Sequence, residues 1–149
     1  MSDTEIIKHF RDATGLSFAQ IKKALDETGG DKVRAMEILK AHGVAVAGEK
    51  SSRQVKEGII DSYIHSTKKL GVLIEVLCET DFVARNAEFQ KLTHDLAMQI
   101  AAAKPETVED LLSQPFIKDQ DVTVKDLVNQ QISKLGENIQ VGRFEIFEI

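Results

Sequence analysis

The stretch that decides the fold runs from Gly58 to Phe89, GIIDSYIHSTKKLGVLIEVLCETDFVARNAEF. Its first eight residues, Gly58 to His65, are rich in β-formers. Ser66-Thr67-Lys68-Lys69 is a polar turn, and Gly71 to Cys78 is a dense aliphatic run. Two such runs joined by so short a connection predict an antiparallel hairpin. Asn86 is a good helix N-cap, and Phe89, Leu92, Leu96 and Ile100 recur at intervals of three and four behind it, with Ala97 and Ala101 on the same side. That is the apolar stripe of a long amphipathic helix, which Pro105 closes. Between strand and helix lies Thr80-Asp81-Phe82-Val83-Ala84-Arg85-Asn86, where a loop is expected. Most such loops are short and polar. This one sets a large aromatic beside a carboxylate. Read from its residues alone, Phe82 is either tucked under the sheet as core or presented to a partner.

Working towards the N-terminus, the first 43 residues read as three short helices. Ser2 with Glu5 and Ser17 with Gln20 have capping-box spacing, and Asp31 suits a third N-cap. Thr14-Gly15-Leu16 breaks the first helix, Gly29-Gly30 the second and Gly43 the third. Residues 44–54 hold small residues, charges and Ser51-Ser52 without a clear period, and are expected to be a linker. Towards the C-terminus, Thr107 with Asp110 opens a short helix ending near Pro115. Thr123 with Asp126 opens another, stopped by Gly136, and Ile139 to Ile149 reads as a strand. The expected fold class is α+β. A three-helix module (1–43) and a linker (44–54) precede a small core (55–149), whose three-stranded antiparallel sheet carries helices on one side.

Composition narrows the function. The chain has 149 residues, 42% hydrophobic and 29% charged, as expected of a globular protein with a core. Its net charge of −5 argues against nucleic acid as the main ligand, since phosphate binding needs clustered Lys and Arg. The charge is uneven. Residues 1–54 carry 9 basic and 8 acidic side chains, whereas residues 55–149 carry 10 and 16, which suggests a seam near residue 54. One cysteine, Cys78, allows no intramolecular disulfide. No apolar run approaches the length of a membrane span, and Met1-Ser2-Asp3-Thr4-Glu5 is neither a secretory signal nor a transit peptide. The expected compartment is the bacterial cytoplasm, with an organelle matrix after removal of a transit peptide left open.

Catalytic signals are thin. His9, His42, His65 and His94 have no metal-ligand spacing, and the chain has neither a P-loop nor a nucleophile elbow. No catalytic residue, metal or cofactor is expected. Cys78 with His94 would make a nucleophile and base, but a small apolar residue in a strand is the plainer reading of Cys78. Glu75, Glu79 and Asp81 would suit a cation, but the plainer reading places Glu75 and Glu79 on the wet side and end of a strand.

The heptapeptide Thr80–Asn86 resembles the hallmark of the elongation factor Ts family. So do Gly58-Ile59-Ile60, Tyr63-Ile64-His65, Gly71 to Val76, Cys78-Glu79 and Glu88-Phe89. Thr14-Gly15-Leu16, Ile21 to Leu25 and Gly30-Asp31 are similar to that family's N-terminal module, and Gly136 to Ile139 with Arg143-Phe144 to its closing segment. The resemblance covers nearly the whole chain. It implies a ubiquitin-associated-like N-terminal module and, as partner, the GTP-binding domain of elongation factor Tu. It implies that Thr80, Asp81, Phe82 and Val83 press into that domain, with Phe82 wedged between two of its helices and Asp81 accompanying it. Ala84, Arg85 and Asn86 complete the motif. It implies displacement of Mg²⁺, loosening of the phosphate loop and release of GDP, with no bond chemistry and no direct contact with nucleic acid or membrane.

Longer members of that family carry a second half of the core, a coiled-coil insertion and a C-terminal helix. The contacts these make are then expected to be absent here or supplied by a second copy. A three-stranded sheet with unpaired edges and a strand rich in Phe and Ile points the same way, to a homodimer with Cys78 near its seam, the alternative being a monomer whose sheet is shielded only when elongation factor Tu binds. The competing reading is a ubiquitin-associated-type binding adaptor without exchange activity. It accounts for residues 1–43 but leaves Thr80–Asn86 idle.

Overall fold

The computed structural model describes residues 2–149; Met1 lies outside the described residues. The chain folds as two compact units. One takes the residues up to Ser52 together with Asn129–Gly136, and the other takes Arg53–Val128 and Glu137–Ile149.

In the first unit, α1 (Asp3–Thr14), α2 (Phe18–Glu27) and α3 (Lys32–Lys50) follow the capping signals. Ser2 accepts from the Glu5 N–H while Glu5 reaches back to the Ser2 N–H, and Ser17 and Gln20 do the same. Asp31 accepts from the N–H groups of Val33 and Arg34. Ile7, Phe10, Leu16, Ile21, Ala24, Ala35 and Leu39 form the core between the three helices.

The third helix departs from expectation. It does not stop at Gly43 but runs to Lys50, so most of the expected linker is helix. Gly43 is buried, and a Cβ there would lie 3.8 Å from Ser133 Oγ. Its glycine leaves room for a neighbour instead of ending the helix. An interior glycine costs about 1 kcal/mol relative to alanine, and Ala45, Ala47, Glu49 and Lys50 sustain the helix past it and past a second glycine, Gly48.

Gly15 does end a helix. It caps α1 at φ 71°, and a Cβ there would come within 2.5 Å of the Gln130 carbonyl oxygen and 2.9 Å of Lys134 Cβ. Left-handed backbone costs a non-glycine residue about 1–2 kcal/mol before any clash. Gly15→Ala is therefore expected to destabilise this unit by about 2 kcal/mol or more. Faster hydrogen exchange along α1, with β2 unchanged, is the measurement that checks it.

In the second unit, β1 (Glu57–Ile64) and β2 (Leu70–Cys78) form the expected hairpin, and β5 (Ile139–Glu148) pairs antiparallel with β2. The order is β1-β2-β5. The helix α5 (Ala87–Ala103) packs on β1 and β2. Val72, Ile74, Val76 and Cys78 alternate inwards along β2 and meet Phe89, Leu92, Leu96 and Ile100 of α5. Burying Phe89 alone contributes about 1.5–3 kcal/mol. A bulge interrupts the β2–β5 ladder between Ile74 and Val76. There Glu75 pairs with Arg143 at 3.0 Å through each carboxylate oxygen, and also accepts the Arg143 backbone N–H at 2.9 Å. These bonds hold the Glu75 carboxyl below its usual value. Glu75 is thus not a free wet-side residue, and Gly142 is glycine because a Cβ would overlap the Glu75 side chain at 2.5 Å.

The remaining elements are α4 (Asp81–Ala84), α6 (Val108–Ser113), the two-stranded sheet of β3 (Pro115–Phe116) and β4 (Asp119–Thr123), and α7 (Val124–Leu135). The β3–β4 hairpin was not expected, because Asp119-Gln120-Asp121 lacks any apolar alternation. It is fastened to α5 by Gln99, which accepts the Ile117 N–H at 2.8 Å and donates to the Pro115 carbonyl at 3.1 Å.

Asp95 of α5 is buried beneath the same hairpin. It accepts from Lys118 at 2.6 Å and Lys91 at 2.8 Å. Burial pushes its carboxyl up, but the bonds from Lys118 and Lys91 and their charges outweigh burial and hold it below its ordinary 3.8. An acid depressed in the folded state adds stability above its unfolded pKa, and that stability is lost as pH falls through the folded value. Asp95→Asn is therefore expected to cost about 1.5–3 kcal/mol at pH 7, with the gap to wild type closing below about pH 4. Paired thermal melts from pH 7 to pH 3 measure both.

Candidate functional site

The site stands where β2 hands over to α5. After Cys78 the chain bends at Glu79 and is extended at Thr80, then takes the single turn α4, then α5. Thr80 caps α4, its hydroxyl accepting the Val83 N–H at 3.3 Å. Asn86 caps α5 by accepting the Glu88 N–H at 2.8 Å. Asp81 and Arg85 pair across the turn at 2.8 Å. The expected loop is therefore a helical turn, capped at its own start and running straight into the next capped start.

This turn sorts the seven motif residues. Phe82 points out and is 85% exposed, while Val83 and Ala84 are buried at 5% and 2%. Adjacent residues on a helix lie about 100° apart, so one turn can anchor Val83 in the core and present Phe82 to solvent. Asp81 and Arg85 flank Phe82 on the exposed side. Of the four residues expected to meet a partner, Thr80, Asp81 and Phe82 are exposed and Val83 is not.

Behind the turn lies a polar network that sequence reading missed. Glu137, two residues before β5, accepts the backbone N–H groups of Glu79 at 3.1 Å and Thr80 at 3.0 Å through Oε1, and the Thr80 hydroxyl at 2.6 Å through Oε2. Glu79 returns the pattern by accepting the Asn138 N–H at 2.7 Å. Arg53 approaches Glu79 at 3.6 Å, and its carbonyl accepts from the Asn138 side chain at 2.9 Å. Glu79 is thus part of a clamp and not the wet end of a strand. The one advance signal was the segment Gly136 to Ile139, which resemblance singled out without a role.

The alternative chemistries are not assembled. Glu75, Glu79 and Asp81 take separate partners, Arg143, Arg53 with Asn138, and Arg85. No group of three His, Cys, Asp or Glu residues suited to a metal ion occurs among the described residues. Cys78 is fully buried, and its thiol donates to the Thr80 carbonyl at 3.2 Å. Burial, then the charge of Glu137, pushes that thiol up to about 11, far from a nucleophilic thiolate at neutral pH. His94 lies 3.4 Å from Asp61 instead. Among the described residues no helix is long and apolar enough to cross a membrane.

Residues 79–149, from the clamp to the last strand, match the family profile described as Elongation factor TS. A protein named elongation factor Ts from Synechococcus sp. (strain JA-3-3Ab) is 41% identical, over 97% of this chain and 68% of its own length. Its namesake from Carboxydothermus hydrogenoformans is 39% identical over 100% of this chain and 89% of its own. That from Nostoc sp. (strain PCC 7120) is 48% identical over 97% of this chain and 46% of its own. These matches define the class, the protein elongation factors of translation. Within that class, the chain belongs to the elongation factor Ts family.

Proposed function

We propose that this protein is a guanine-nucleotide exchange factor for elongation factor Tu, and that Phe82 is the group that acts on the partner. The observation that carries the reading is the exposure of Phe82 on a turn that is otherwise fastened down. A large aromatic gains about 1.5–3 kcal/mol from burial, so an unpaired one on a rigid support is poised to gain it from a partner. Seated between two helices of the GTP-binding domain, with Asp81 beside it, Phe82 spreads the elements that hold Mg²⁺ and the phosphate loop, and GDP leaves. Thr80 and Val83 act from behind, one as cap and one as anchor. Coupling is reciprocal: a factor that weakens GDP is weakened equally by nucleotide, so incoming GTP ejects it and the cycle needs no bond chemistry.

The first unit serves as the docking module. Its α1–α2 groove is lined by Ile6, Ile7, Phe18 and Leu25, with Asp3 and Asp26 as well as Lys22 and Lys32 along it, and Phe18 is exposed. That groove suits the apolar face of a partner helix. The setting is the bacterial cytoplasm, and the free protein is a homodimer. Release of labelled GDP from elongation factor Tu, with and without this protein, tests the function. An unchanged release rate would remove the exchange reading and leave the adaptor.

A further inference from the structure

Glu137 and Thr80 are 57 residues apart in sequence and 2.6 Å apart in the structure. The β2–β5 ladder ends at the pair Cys78 and Ile139. Beyond it the N–H groups of Glu79 and Thr80 have no strand partner, and one carboxylate oxygen of Glu137 accepts both. Its other oxygen takes the proton of the Thr80 hydroxyl. With its proton committed to Glu137, the hydroxyl has lone pairs to turn towards α4, where it accepts the Val83 N–H. Bonds to an ionised acceptor are shorter and about twice as strong as neutral ones. The Asn138 N–H donates to Glu79 in return, so the two chain segments are fastened from both sides.

We propose that Glu137 is a positioning residue for exchange: its carboxylate sets the conformation of Thr80 and thereby the direction in which Phe82 is presented. This rests on the exchange reading above and deepens it. A turn fixed in advance need not be ordered when the partner binds, and apparent affinity falls with the fraction of molecules in the competent conformation. Glu137 therefore governs how readily the partner is engaged, and Phe82 governs what happens once it is.

Variants Glu137→Ala, Glu137→Asp and Glu137→Gln of the full chain test this. Aspartate is one methylene short and loses the clamp. Glutamine keeps one oxygen for the two backbone N–H groups and can donate to the Thr80 hydroxyl, so it retains most of it. Two quantities are measured: hydrogen exchange of the Thr80 and Val83 amides in the free protein, and GDP release from elongation factor Tu at limiting and saturating factor. Glu137→Ala and Glu137→Asp are expected to lose protection at Thr80 and Val83 while Val76 keeps it. If the competent conformer falls to a tenth, release at limiting factor slows about tenfold and is largely restored at saturation. Glu137→Gln, which keeps the bonds but loses the charge, falls between wild type and Glu137→Asp in both.

Unchanged protection in Glu137→Ala, or unchanged release at limiting factor, would overturn the proposal. So would equal rates for the Gln and Asp variants, the comparison that decides if the alanine variant fails to fold. A wild-type protein that releases no GDP removes the exchange reading itself, a result distinct from an active wild type with an equally active Glu137→Ala.

Discussion

Phe82→Ala is expected to slow GDP release from elongation factor Tu by one to two orders of magnitude and to leave the thermal midpoint within a few degrees of wild type. The kinetic size follows from burial. A phenylalanine side chain gains about 1.5–3 kcal/mol on leaving water, and each ~1.4 kcal/mol is a factor of ten. The small thermal effect follows from exposure: Phe82 is 85% accessible and packs on little in the free protein. Substitutions at such positions stay within about 0.5 kcal/mol, and alanine suits a helical turn. The neighbouring Val83→Ala should reverse the pattern, losing stability because Val83 is anchored in the core. Stopped-flow release of a fluorescent GDP analogue, beside a thermal melt of each variant, reads both. An unfolded Phe82→Ala, or one with the wild-type rate, would falsify the wedge.

The pair Phe82 and Val83 also marks where sequence reading stops. Two strands, a polar turn and a capped amphipathic helix were legible because each signal is local: alternation within eight residues, an Asn before an apolar stripe, a Ser three residues before a Glu or Gln. Which of two adjacent apolar residues faces solvent was not. It depends on the segment being a helical turn, and α4 is too short to show a period. Glu137 was invisible for a different reason. Its partners lie 57 and 58 residues upstream, and nothing in the spacing of an acid in the segment Gly136 to Ile139 reveals an acceptor for the end of another strand. Gly43 misled because a helix stop and a close helix approach use the same residue. The β3–β4 hairpin was missed because it is held by Gln99 from outside and not by an apolar pattern of its own.

The free protein is expected to sediment at micromolar concentration, with reductant present, as a species near twice 16.5 kDa. The reason lies on the sheet face away from α5. Ile60 and Ile64 of β1, Leu73 of β2 and Phe147 of β5 are exposed there, Phe147 by 73%, and Ile149 follows at the end of the strand. Ile64, Gly71 and Phe147 fall in register across the three strands, so the glycine leaves a trough between two large side chains. Leu73 stands two pairs further along, at the next position on this face, between Ser62 and Glu145. The outer strands β1 and β5 each have one unpaired edge. Lys68 and Lys69 border the apolar patch, and Glu145 lies on it. Both signs of charge around one patch allow it to match itself under a two-fold axis. Cys78, expected near such a seam, is instead on the inner face and fully buried, so the pairing does not rest on a disulfide. Leu73→Lys discriminates. Within one protomer the new ammonium lies opposite Glu145 and is tolerated, but in a face-to-face dimer it would be buried twice. Loss of two leucine contacts alone is about 3–6 kcal/mol, or roughly two to four decades in the dissociation constant. A wild-type mass near 16.5 kDa at every concentration, or a Leu73→Lys variant as dimeric as wild type, would show that this face is not the seam.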